Sequence, residues 1–549
     1  MCLNNRYLLV CILLIPILFT QSCTMKKSVD TLVYNARIYT LDEAGTVVEA
    51  MAIDHGKVIE TGTDEELISR YNAVKRVDNE GRSVFPGFLD AHCHFYGLAL
   101  GLQWIDLVGC RSFDEVVERV VRADTLDDTS WITGRGWDQN LWQVKEFPAK
   151  EELDKRWPDR PVVLVRIDGH VVLANQEALN RAGLIAHHRF PPLEVDMMDG
   201  KLTGILRETA ADHIKSTIPK PDPETILELL REAEARCFSY GLTGISDAGL
   251  KNTTLHLMDS ALQQGKLKIH IYAMVEPTQE NLEEYVTHGP YHNNRFHICS
   301  IKLYADGSLG SRTALLKQPY SDDPFNNGIQ VTSPDSMREI CRMAYDNNFQ
   351  VNTHCIGDKA VREVLDVYGE FLQGKNDRRW RIEHAQVVDP ADLVLFQKYN
   401  VIPSVQATHA TSDMYWAGSR LGPERIEWAY AYKDLSKQNG WLANGTDFPI
   451  EQVNPMLTFY ASVARKDLTG YPEGGFQPEN ALSREEAIRS MTIWAARANF
   501  DDGEYGSLEP GKWADFVMLE KDIMEIPMAE VPEVRVMETW VSGEKVYSR

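Results

Sequence analysis

The stretch SVFPGFLDAHCHF, residues 83–95, is a β-prone apolar run that ends on a pair of histidines. Strand side chains two positions apart share a face, so His92 and His94 aim at one point while Cys93 faces away. Seven further short β-branched or apolar runs follow it: LTGISDAG, KIHIYAMV, SIKLYADG, FQVNTHCIG, RWRIEHAQ, VIPSVQAT and WLANGTDFPI. Between most of them lie helical patterns, such as residues 335–346 and 358–372, with apolar side chains three and four apart. Strands that alternate with helices build a parallel sheet, and eight repeats close it. The expected fold class is α/β, a (β/α)8 barrel of the TIM type.

The runs share a second property. His92, His94, Lys302, His354, His384 and Asp447 each stand at or near the end of one, and barrel active sites lie at the C-terminal ends of strands. A closed sheet would therefore gather distant segments around one or two metal ions, which points to hydrolytic chemistry. Each residue taken singly has a simpler explanation. A lone His-x-His is weak, and one histidine at a strand end is more often a hydrogen-bonded core residue. Lys302 as an ammonium would repel a cation; it serves as a ligand only when neutral or converted by carbon dioxide to a carbamate. Pairing with a carboxylate such as Asp306 is its simpler alternative. Asp447, before Pro449, could cap a helix. His170 and His409 are candidates for contacting substrate, with structural roles as the alternative. Trp137, Trp142, Tyr415 and Trp416 fall on expected rim loops and suit a bulky or apolar substrate group, with ordinary packing as an equally good explanation.

Outside the barrel, two β-rich ends, residues 31–84 and 500–549, are each too small to bury a core. Pairing them into a composite β-sandwich resolves this, leaving residues 85–499 as the barrel. About 150 residues separate the first barrel run from the second, too many for a loop. Residues 107–225 are therefore expected to form an inserted subdomain on the catalytic side, and residues 223–238 a helix. At 549 residues the chain needs two or three domains, and 44% apolar with 25% charged side chains is a globular composition. Eighty acidic against 57 basic residues give a net charge of -23, which argues against a nucleic-acid partner.

At the N-terminus, Arg6 precedes an apolar run over residues 7–19, too short to span a bilayer comfortably and suited to an export signal. It leads to Cys23 through Thr20, Gln21 and Ser22, a lipoprotein-like processing site, so residues 1–23 are read as the signal and the mature protein as lipid-anchored at the cell envelope or periplasmic. Residues 25–30 would be a tether, with folding from Thr31. The nine cysteines show no paired spacing, and most are expected to fill the core. A small-molecule substrate is the expected partner, with the membrane engaged only through lipid on Cys23 and a homodimer left open.

Together PGFLDAHCH, GLTGISDAG, IKLYADGSLGSRTA, VNTHCIGDKA, RIEHAQ, PSVQATHATSDMYWA, RLGPERIEWAY, GTDFPIE and GSLEPGKWADFVMLE resemble the amidohydrolase superfamily. Within it they resemble the YtcJ-like, N-substituted formamide deformylase-like branch, amidohydrolase family 3. RIDGHVVLANQEAL and TGILRETA extend the resemblance into the insertion, while Ala407 stands where the branch has proline. The resemblance implies a divalent metal, zinc by type, as one or two ions. His92 and His94 would hold one and His354 and His384 the other, with carbamylated Lys302 between them. Asp447 would bind the first ion and move a proton. The implied activity is hydrolysis of a C–N amide bond, N-formyl or N-acyl, in a small molecule. Hydrolysis of esters or cyclic imides at the same site is the alternative within catalysis, and a non-catalytic surface binding protein the alternative outside it.

Overall fold

The computed structural model describes residues 26–124, 130–184, 190–293, 295–374 and 376–549. The expected export signal and Cys23 lie outside the described residues. Eight parallel strands form the centre: β1 (Phe88–Cys93), β2 (Leu242–Leu250), β3 (His270–Val275), β4 (Phe296–Tyr304), β5 (Gln350–Cys355), β6 (Arg381–His384), β7 (Ile402–Val405) and β8 (Ala443–Asn444). Their spatial order follows the chain, each pairing in parallel with the next. Most of their residues are buried, as strands covered on both faces must be.

Closure between β8 and β1 uses the residues just beyond β8. Asp447 N donates to His92 O at 2.8 Å, and His94 N to Phe448 O at 2.8 Å. The Asp90 carboxylate accepts from Thr446 N and Thr446 Oγ1. Gly445 is required here, because a Cβ at this position would stand 2.5 Å from Asp90 Oδ1 and 2.6 Å from His92 N.

The first run of the sequence divides at Gly87. Residues Ser83–Pro86 leave the barrel and pair antiparallel with Phe516–Leu519. The sandwich is composite through this sheet, which also holds Arg37–Tyr39, Val47–Val48, Val536–Val541 and Glu544–Ser548. Its partner sheet comes from the N-terminal end alone, and begins at Lys27 rather than Thr31, so most of the expected tether is strand. Val33, Met51, Val84, Phe516 and Trp540 fill the space between them.

A six-stranded sheet spanning residues 105–207 forms the insertion. It carries its own apolar clusters on its two faces, one around Val117, Trp137 and Leu164 and one around Val163, Leu179 and Ile214. The helix Pro223–Ser239 shares the barrel's apolar cluster through Leu230, Ala233 and Phe238, so the insertion ends before it, near Thr217. The six described cysteines are all free and buried. No described helix is long and apolar enough to cross a membrane.

Candidate metal centre

All six strand-end residues converge at the C-terminal mouth of the barrel. Asp447 Oδ1 lies 3.2 Å from His94 Nε2 and 3.7 Å from His92 Nε2. Its Oδ2 lies 3.7 Å from His409 Nε2 and 4.0 Å from His384 Nδ1. His384 and His354 rings are 4.6 Å apart, and His384 and His92 rings 4.9 Å. Lys302 Nζ approaches His92 Nε2 at 3.1 Å.

Each of the four imidazoles is oriented by a partner behind it. His92 Nδ1 meets Glu383 Oε2 at 2.7 Å, His94 Nδ1 meets Ala248 O at 3.3 Å, and His384 Nδ1 meets Gln406 Oε1 at 2.6 Å. His354 Nε2 meets Gly307 O at 3.1 Å. An oxygen acceptor fixes the proton on the ring nitrogen that faces it, which for His92 and His94 leaves Nε2, the atom turned to Asp447, as a lone pair. At His384 the Nδ1 that meets Gln406 is also the atom 4.0 Å from Asp447. Burial pushes His92 below the usual imidazole range and His354 and His384 well below it, so these rings are neutral. Burial alone would raise Asp447, and its carboxyl is held well below the usual range where the facing imidazoles, His94 first, bring a proton to it. Turned toward it as neutral lone pairs, they leave that positive charge to be supplied by a cation.

An ionised carboxylate facing imidazole lone pairs is unfavourable in a buried site unless a cation stands among them. Asp447 Oδ1 and His409 Nε2 are both buried without a hydrogen bond. Two donor sets, His92–His94–Asp447 and His384–His409–Asp447, each have their donor atoms within 4.8 Å of one another. Neutral imidazole and carboxylate are the donors that zinc and its neighbours take. The residues present therefore fit a divalent ion.

The backbone is strained where it serves this centre. His384 (φ 72°) and Asp447 (φ 60°) are in the left-handed region, which costs about 1 to 3 kcal/mol each for such residues. At His384 the strain has a visible use. Adjacent strand residues point to opposite faces, yet Glu383 reaches His92 while His384 faces Asp447.

Lys302 is 1% exposed, and burial lowers its amine to about 8. The alternative pairing with Asp306 is not formed: both Asp306 oxygens are taken by the backbone amides of Leu315, Ile356 and Gly357. His170 reaches the mouth from the insertion. Burial opposes its protonation, but Glu208 at 2.8 Å raises it to about 9. Its ring is 5.3 Å from that of His354. Arg166, also from the insertion, is neutralised between Asp138 and Asp168.

A cavity of about 290 Å³ opens over the centre, lined by His170, His354, His384, His409, Trp416 and Asp447 among others. Of the four expected rim aromatics only Trp416 lines it. Trp137 and Trp142 are buried in the insertion, donating to Leu164 O and Cys110 O. Tyr415 is exposed and stacks on Tyr471. Glu383 and Gln406 are not among the residues expected from the sequence. Their signal was a polar residue inside a buried strand and another at a buried strand end.

A parallel barrel whose mouth holds converging histidines around a buried aspartate defines a metal-dependent hydrolase. Comparison with known proteins agrees. The model of the amidohydrolase family, Amidohydro_3, matches residues 75–547, and the chain belongs to that family. It is 31% identical over 526 residues to putative amidohydrolase YtcJ of Bacillus subtilis, covering 93% of this chain and 98% of that protein. It is 25% identical over 562 residues to N-substituted formamide deformylase of Arthrobacter pascens, covering 96% and 99%. The crystal structure of an uncharacterized metal-dependent hydrolase from Pyrococcus horikoshii superposes with a TM-score of 0.74 at 32% identity, covering 91% of this chain and 99% of that one.

Proposed function

We propose that this member of the family hydrolyses a C–N amide bond, N-formyl or N-acyl, in a small molecule, with Asp447 as the proton shuttle. The observation that carries the reading is Asp447 Oδ1, buried and without a hydrogen bond, facing His92 and His94 beneath a cavity of small-molecule size. Similarity to a formamide deformylase supports the choice of bond.

His92, His94 and Asp447 would hold one ion, zinc by donor type, and His354 and His384 a second, with Lys302 as a carbamate between them. Such an ion, when bound, would make a water acidic near neutral pH and would offer positive charge to the carbonyl oxygen. Asp447 accepts the proton of the attacking water and delivers it to the amide nitrogen as the C–O bond forms and the C–N bond breaks. Without that proton the leaving amine would depart as an anion. Glu383, Gln406, Ala248 and Gly307 hold the four rings in place meanwhile. His409 and protonated His170 flank the cavity and are placed to orient a substrate carbonyl or carboxylate. Lys302 can add to carbon dioxide because an amine near 8 is uncharged in roughly a tenth of molecules at pH 7.

Export, with lipid on Cys23, belongs to the same proposal and rests on residues 1–23. Intact mass of protein from the cell envelope tests it.

The test of the activity is purified enzyme against N-formyl amines, N-acyl amines, cyclic imides and esters. Amine release from the first two classes, abolished by chelation and restored by zinc, is expected. Turnover of esters or imides alone would replace the proposed bond, and silence across the panel would refute it.

A further inference from the structure

The N-terminal end of β4, away from Lys302, carries a second group of histidines. Strand Tyr291–Asn293 folds back antiparallel on β4 and pairs His292 directly with His297. Directly opposed residues of such a ladder share a face, and the two rings stand 4.8 Å apart. Asp501, from the segment after helix Ile493–Ala498, approaches from a third direction. Its Oδ1 lies 3.1 Å from His297 Nδ1, and its Oδ2 accepts from Tyr505 Oη at 2.6 Å.

We propose that His292, His297 and Asp501 form a structural site for a divalent transition-metal ion, zinc by donor type, at the floor of the barrel. The three donor atoms lie within 4.8 Å of one another. Ligands of a tetrahedral zinc stand about 3.4 Å apart, from bond lengths of about 2.0–2.1 Å. The His297–Asp501 edge is already that short. His292 must close in by at most about 1.4 Å on that spacing, and its side chain is exposed on the strand beside β4. Asp501 is 2% exposed and held by Tyr505, so the carboxylate is fixed in advance. The exposed side of His292 leaves room for water as a fourth ligand.

Such an ion would have mechanical consequences. Residues just before Asp501 plug the barrel: Gln350 Nε2 and Arg381 Nη2 both donate to Ala498 O, and Ser246 bonds Asn499. The same segment leads on to the C-terminal strands of the sandwich. Binding would pin this plug to the β4 hairpin and tie the two domains at one point. The competing account is a His297–Asp501 ion pair with His292 merely packed beside it. The two differ in what His292 does.

Wild type, His292→Gln and Asp501→Asn are stripped with chelator, dialysed against zinc buffered in the micromolar range, and analysed for metal by mass spectrometry. Thermal unfolding is followed with and without zinc. Wild type is expected to retain one zinc per chain more than either variant and to gain more in unfolding temperature on zinc addition. Amide hydrolysis by His292→Gln should equal wild type, which separates this site from the catalytic centre. His292 is exposed, so its replacement folds even if Asp501→Asn does not. Equal zinc content and equal zinc-induced stabilisation in wild type and His292→Gln would overturn the proposal.

Discussion

Replacing Glu383 with Gln isolates the part of the centre that orients rather than binds. Glu383 is fully buried, and its Oε2 takes the Nδ1 proton of His92 at 2.7 Å. Gln keeps the shape but removes the charge, and its amide can turn an N–H toward Nδ1 and impose the wrong tautomer. Partners of this kind are worth about 10- to 100-fold in metal affinity, or about 1.4 to 2.8 kcal/mol. The fold should survive, because nearby Arg381 keeps Ala91 O, Ala498 O and Asn499 Oδ1 as acceptors. Competition with a chromophoric chelator measures the affinity. Expected is a 10- to 100-fold rise in the zinc dissociation constant, with activity partly recovered at saturating zinc and an unchanged circular dichroism spectrum. Unchanged zinc affinity in a folded variant would refute the role assigned to Glu383 and the tautomer assigned to His92.

Asp447→Asn should lower kcat by about 10²- to 10⁴-fold, the usual worth of a positioned acid–base group; steady-state kinetics on an N-acyl substrate measures it. Gly445→Ala forces a methyl against Asp90 and His92, an overpacking cost of about 1 to 3 kcal/mol, so calorimetry should show earlier unfolding together with weaker zinc retention. His170 is raised to about 9 by Glu208 after opposing burial. A raised imidazole stabilises fully below its unfolded value of about 6.5 and loses that contribution as pH climbs through about 9. The stability difference between metal-free wild type and His170→Asn should therefore shrink from pH 6.5 to pH 10 in denaturant titrations, and a difference that grows with pH would contradict the His170–Glu208 pairing.

Much of this architecture was legible in the chain because its signals are local and periodic. Each β-run is bounded by turn residues, and the His92–His94 spacing fixes a shared face without tertiary knowledge. Other features depend on contacts that no spacing reports. Gly87 ends one strand and starts another because any side chain there would meet Thr243, at 2.2 Å from its Oγ1. Trp137 and Trp142 looked like rim aromatics, but the insertion has a core of its own and they fill it. Glu383 was hidden because alternation assigns it the face opposite His384, and only the left-handed turn at His384 brings both inward. His409 reaches Asp447 through the short helix Ala407–Asp413, which folds back over the mouth.

Anomalous diffraction from crystals grown with zinc, recorded on both sides of the zinc edge, tests the central claim most directly. A peak bonded to His92, His94 and Asp447 is the predicted result, and ordered zinc sites that all avoid these side chains would contradict it.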